Sequence, residues 1–118
     1  MQRLNIILAH AWMVRNFLKH AEEIQGDEEM LDVHRTIFDF IRAVEPSAQR
    51  GDAKEYLRRI RGKLPKLKKA AEFFGREYRR ASDHTNFEMA ARSLEGCVRQ
   101  IEEVLQSVTP ADKTPENG

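Results

Sequence analysis

From Asp52 to Ala81 the apolar residues Leu57, Ile60, Leu64, Leu67, Ala71, Phe74, Tyr78 and Ala81 recur at alternating three- and four-residue steps. That period lines up apolar side chains on one face of an α-helix. The phase holds through Pro65, which lacks an N–H and should interrupt a helix. The pattern predicts a helix that is kinked or split near Gly62–Pro65, because unbroken it would span roughly 45 Å at ~1.5 Å per residue.

Three more seams share this period. Leu4, Ile7, Ala11, Val14, Leu18 and Ala21 predict a first helix over Arg3 to Ile24, with Gly26 as its terminator. Asp27 reads as the N-cap of a second helix carrying Met30, His34, Ile37, Ile41 and Val44, widened by Val33, Phe38 and Phe40 and stopped by Pro46. The Asp52-based seam is then the third helix, capped by Asp52 with Glu55. Thr85 and Glu88 have capping-box spacing. They open a fourth helix with Phe87, Ala91, Leu94, Val98, Ile101, Leu105 and Val108 in heptad register.

No stretch alternates as a strand does. The expectation is an all-α, single-domain, antiparallel four-helix bundle, up-down-up-down, over residues 1–108. A disordered polar C-terminal tail is expected over 109–118, which holds two prolines and a terminal glycine.

Composition agrees with a globular domain: 118 residues, 41% apolar and 33% charged, with a formal net charge of +1. The near-neutral balance argues against a dedicated nucleic-acid or membrane-surface protein. No apolar run approaches the ~20 residues needed to span a bilayer, so the expected location is cytoplasmic, with no membrane partner. Cys97 is the only cysteine, which excludes an internal disulfide and a two-cysteine metal site.

The charge is unevenly spread. From Arg50 to Arg80 twelve basic residues face four acidic ones, a local charge of +8, whereas Ala21 to Pro46 holds eight acids and two bases, −6. Opposite charge on adjacent antiparallel helices helps fix topology. The remainder is a candidate anion or nucleic-acid surface at Lys63, Lys66, Lys68 and Lys69. No aromatic residues are interleaved there to stack on bases.

Candidate chemistry is sparse. No Glu-x-x-His and no glycine-rich phosphate loop occurs, and His84 with Glu88 is one pair where an iron site needs a full set. His34 lies in the second helix's apolar stripe, as a core histidine would. No catalytic residue, metal ligand or cofactor is expected. Arg15-Asn-Phe-Leu-Lys-His20 and Arg79-Arg-Ala-Ser-Asp-His84 both read Arg, four residues, His. This spacing resembles the motif of the HEPN helical-bundle family, many of whose members are RNases or nucleotide-binding partners in toxin–antitoxin pairs. The match covers six residues and its first copy falls in the first helix, whereas the family motif lies late in the domain.

The first helix also carries Ile6, Trp12, Met13 and Phe17 outside its seam. A helix apolar nearly all round needs contacts on more than one side. Those four residues form the expected self-association surface. The leading expectation is a non-enzymatic interaction or regulatory module, homodimeric and with a further unidentified protein partner. The alternative is an RNA- or nucleotide-binding, HEPN-like bundle, with a nuclease version, that uses the basic third-helix face.

Overall fold

The computed structural model describes residues 2–108 in full, and the tail expected over 109–118 lies outside these residues. The fold is all-α: α1 Gln2–His20, α2 Glu28–Gln49, α3 Ala53–Glu77 and α4 Thr85–Asn117, with 3₁₀ turns at Glu22–Ile24 and Tyr78–Arg80. No strand occurs among the described residues. α1 packs on α2 and α4, and α3 packs on the same two neighbours. All four contribute to one apolar core.

The expected seams form most of that core, though His34, Phe38, Ala81 and Val108 are only half-buried and Leu8 and Leu31 join from outside the seams. Tyr56, left out of the third seam, is fully buried, and Leu57 sits half-buried at the edge. Tyr56 donates its hydroxyl to Asn5 Oδ1 at 3.2 Å, so the one polar atom of a buried ring is satisfied.

Boundaries differ more than seams. α1 stops at His20, short of Ile24, where Ala21 turns to an extended conformation. The Gln25 side-chain amide donates to the carbonyls of Lys19 and Ala21, capping the end, and the 3₁₀ turn delivers Ile24 to the core. Gly26 is not needed as a left-handed terminator; among the described residues only Gly51 has positive φ.

Pro46 does not stop α2 but lies inside its last turn. The stop comes at Gly51, φ 72°. There the Gly51 N–H bonds to Ala48 O and the Asp52 N–H to Ser47 O, the paired bonds of a Schellman cap. Ser47, one residue past the proline, is buried, so continuing the helix serves the core.

α3 is a single helix with Pro65 inside it, not two segments, and a 3₁₀ turn at Tyr78 ends it before Ala81. Pro65 is exposed while Leu64 and Leu67 beside it are buried, so core contacts hold the helix through the break. Asp27 and Asp52 cap by accepting from the N–H groups of Met30 and Glu55, but Glu55 turns to Arg58 and Arg59 and the Asp52 N–H bonds to Ser47 O, so the box expected at α3 closes on one side only. At α4 the cap moves one residue upstream. His84 Nδ1 accepts from the Asn86 N–H, and Glu88 turns to Arg92 instead of closing a box with Thr85.

Candidate interaction surfaces

α1 buries Leu4, Ile7, Leu8, Ala11, Val14 and Leu18 on its inner side. Its outer side has an unusual composition. Every exposed position between Arg3 and Lys19 (Asn5, Ile6, Ala9, His10, Met13 and Asn16) is uncharged by Asp, Glu, Lys or Arg. Ile6 is 56% exposed and Met13 64%. Charge depletion with exposed large apolar residues is the compositional mark of an interface centre.

Two shallow grooves flank this ridge. Toward α2, a cleft of about 510 Å³ is lined by Ala9, Trp12, Met13, Ile41 and Val44, with Asn5 and Glu45 as polar members. Toward α4, a groove of about 300 Å³ runs between His10, Met13 and Phe17 on one side and Met89 and Ser93 on the other. Met89 adds a third exposed apolar residue, 44% exposed.

The four residues expected to self-associate therefore divide. Ile6 and Met13 stand outward, whereas Trp12 and Phe17 are half-buried and packed against the core. Trp12 lies 6.1 Å from Phe38, and Phe17 meets Phe87 edge-on at 5.1 Å. Ala9, His10 and Met89, missed in the sequence reading, complete the outer surface. A second four-three repeat on α1, opposite the core seam, carried the signal for Ala9.

Arg15 occupies the gap between α1 and α2. Its guanidinium lies 4.6 Å from the Trp12 ring centre and 4.7 Å from that of Phe38, and the side chain is buried. Two aromatic faces compensate a cation that forms no ion pair among the described residues. Its Nε has no hydrogen-bond partner, nor does His34 Nδ1 nearby. Burial, then Arg35, Arg15 and Lys19, pull the His34 pKa below its ordinary value.

This geometry separates the two Arg-x₄-His segments into unlike parts. His20 and His84 line one cleft with Glu22 and Glu23, but neither Arg15 nor Arg79 does. Arg79 stacks on Tyr78, and His84 is engaged in its cap.

On α3 the exposed positions are charged except at Ala53, Gly62 and Pro65. Much of that charge is matched. Arg58 and Arg59 hold Glu55, pulling its carboxyl down to about 2. Arg80 reaches Asp27, the N-cap of α2, and Glu29 in its first turn, and Lys68 pairs with Glu102 on α4 at 2.9 Å. Of the four lysines expected to form an anion surface, Lys68 is thus engaged, and Lys63, Lys66 and Lys69 are exposed with no ion pair among the described residues. Lys66 and Lys69 line a groove opposite Glu29 and Asp32 of α2.

Cys97 is buried, its Sγ donating to Ile7 O at 3.5 Å, and burial pushes the thiol up to about 11. A nucleophile needs the opposite shift. Among the described residues no group of three or more His, Cys, Asp or Glu side chains is placed to hold a metal ion, and no helix is long and apolar enough to cross a membrane. No family model, curated protein or solved structure matches the chain.

Proposed function

We propose that this chain is a non-enzymatic helical-bundle protein, a protein-interaction or regulatory module that self-associates through the outer face of α1 and works in the cytoplasm. The observation that carries the reading is the outer face of α1, which holds no Asp, Glu, Lys or Arg between Arg3 and Lys19 and exposes Ile6 and Met13, in a chain that is one-third charged.

The bundle is antiparallel, up-down-up-down. Contacts supporting this run in opposite senses along α1 and α4: Arg3 with Glu103, Ile7 with Cys97, Phe17 with Phe87. Likewise Asp27, before α2, meets Arg80, beyond the end of α3. In this arrangement α1 and α3 occupy diagonal corners and present their outer faces in opposite directions.

The test is mass in solution. Light scattering at high micromolar concentration is expected to return a dimer. A monodisperse monomer there would overturn the reading.

A second reading, an RNA- or nucleotide-binding bundle, draws on the exposed Lys63, Lys66 and Lys69. It predicts heparin retention with steep salt dependence, abolished by a triple Lys→Glu variant at those positions. The acidic side chains across the α2–α3 groove favour the structural role for that charge instead.

A further inference from the structure

On the outer ridge of α1, Gln2, Ile6, Ala9, Met13, Asn16 and His20 are all exposed and follow one another at four- and three-residue steps. This is a second helical seam on the side opposite the core. A four-three seam fits the side-chain ridges of another helix at a shallow crossing angle. A groove on either flank of the ridge receives side chains from such a helix.

The occupant is narrowed by charge. A two-fold contact sets a surface against itself, so a face of one sign repels its own copy. The outer face of α3 would oppose Arg58, Lys69 and Arg76 to the same residues. The α1 ridge opposes only Gln, Ile, Ala, Met, Asn and His. Resting on the reading that α1 mediates self-association, we propose that α1 pairs antiparallel with α1 of a second copy. Ile6 of each copy then packs on Met13 of the other, with Ala9 beside the two-fold axis.

Three features select this geometry. First, Ile6 and Met13 lie two turns apart around the small Ala9, so an antiparallel register covers both large exposed residues of each copy and lets the backbones approach at the centre. Second, a two-fold axis perpendicular to the helices keeps both α4 flanks on one side. There Arg3, beside Glu103, meets the end of the second copy that carries Glu22 and Glu23. On the α2 flank, Lys19 of one copy approaches Glu45 of the other, which borders the α2 cleft. Third, antiparallel α1 helices set the positive end of each dipole beside the negative end of the other.

Cysteine pairing tests it on the full-length chain. Ile6→Cys and Met13→Cys proteins are oxidised separately and mixed, then run on non-reducing gels. Wild type is the control, because its one thiol is buried. Disulfide dimers that form in the mixture and not in either variant alone are the expected result. Met13→Glu should weaken dimerisation by about tenfold or more, with its circular dichroism unchanged. Efficient linking of each variant alone would mean parallel helices, overturning this geometry while self-association stands. A dimer by light scattering with no linking in any sample would place the contact elsewhere and overturn the proposal equally. A monomeric wild type would overturn both this inference and the reading beneath it.

Discussion

α1 and α3 share the same two neighbours and bury comparable apolar stripes, yet their outer faces are opposites. The exposed side of α1 holds no Asp, Glu, Lys or Arg between Arg3 and Lys19; that of α3 is almost wholly charged. The inward period settles how each helix folds and is indifferent to this contrast. The outward residues settle what each helix can meet, because exposed charge stays hydrated and exposed apolar surface gains by being covered.

The comparison breaks first if the inner stripes are unequal. Leu18 on α1 and Leu67 on α3 are both fully buried. Leu18→Ala and Leu67→Ala should each destabilise by about 2–5 kcal/mol in urea unfolding. A loss below ~1 kcal/mol at either site would show that one helix is loosely held.

A smaller effect, of opposite sign, is expected on α3 alone, which tolerates helix breakers on its solvent side where α1 has none. Pro65→Ala restores a backbone donor at an exposed site and should stabilise by about 1–3 kcal/mol. Gly62→Ala should add about 0.5–1 kcal/mol, since an added Cβ there meets no atom within 4 Å. Thermal melts check both. A destabilised Pro65→Ala would mean that the proline-shaped backbone is required for packing.

The smallest effect is pH-dependent and belongs to the α1 side. His34 faces Arg15 and Lys19 of α1 and Arg35 of its own helix, with Asp32 as the opposing charge. Its pKa is depressed in the fold, so as pH falls below 6.5 the unfolded chain takes the proton first. The stability present above that pH is lost as pH drops through the lowered folded value. Wild type should therefore lose more stability between neutral pH and pH ~5 than His34→Gln. Equal losses would sink the idea. On α3, Glu55 stays ionised across that window, its pKa held near 2 by two arginines.

The helical class and most buried positions were legible because burial follows a simple period. Ile60, Leu64, Leu67, Ala71 and Phe74 are buried as their spacing requires. Helix ends were less legible, because they depend on side chains distant in the pattern. Gln25 turning back onto Lys19 and Ala21 ends α1, and a buried Ser47 carries α2 past Pro46. Surfaces were half legible. Ile6 and Met13 are exposed as apolar surplus suggested, but Trp12 and Phe17 are taken up by Phe38 and Phe87, partners that no local spacing names. The lysines divided similarly, since Glu102, which holds Lys68, lies on another helix.

The thiol of Cys97 gives the molecule its own clock. It rests under α1 against the Ile7 carbonyl, with its proton held tightly. A thiol reagent reaches it when α1 parts from α4. The labelling rate therefore counts every opening that parts α1 from α4, from excursions of the one helix up to unfolding of the whole bundle. If α1 is clasped by a second copy, those excursions must also separate the pair. Labelling would then slow as protein concentration rises, turning one buried sulfur into a readout of how firmly the outer face is held.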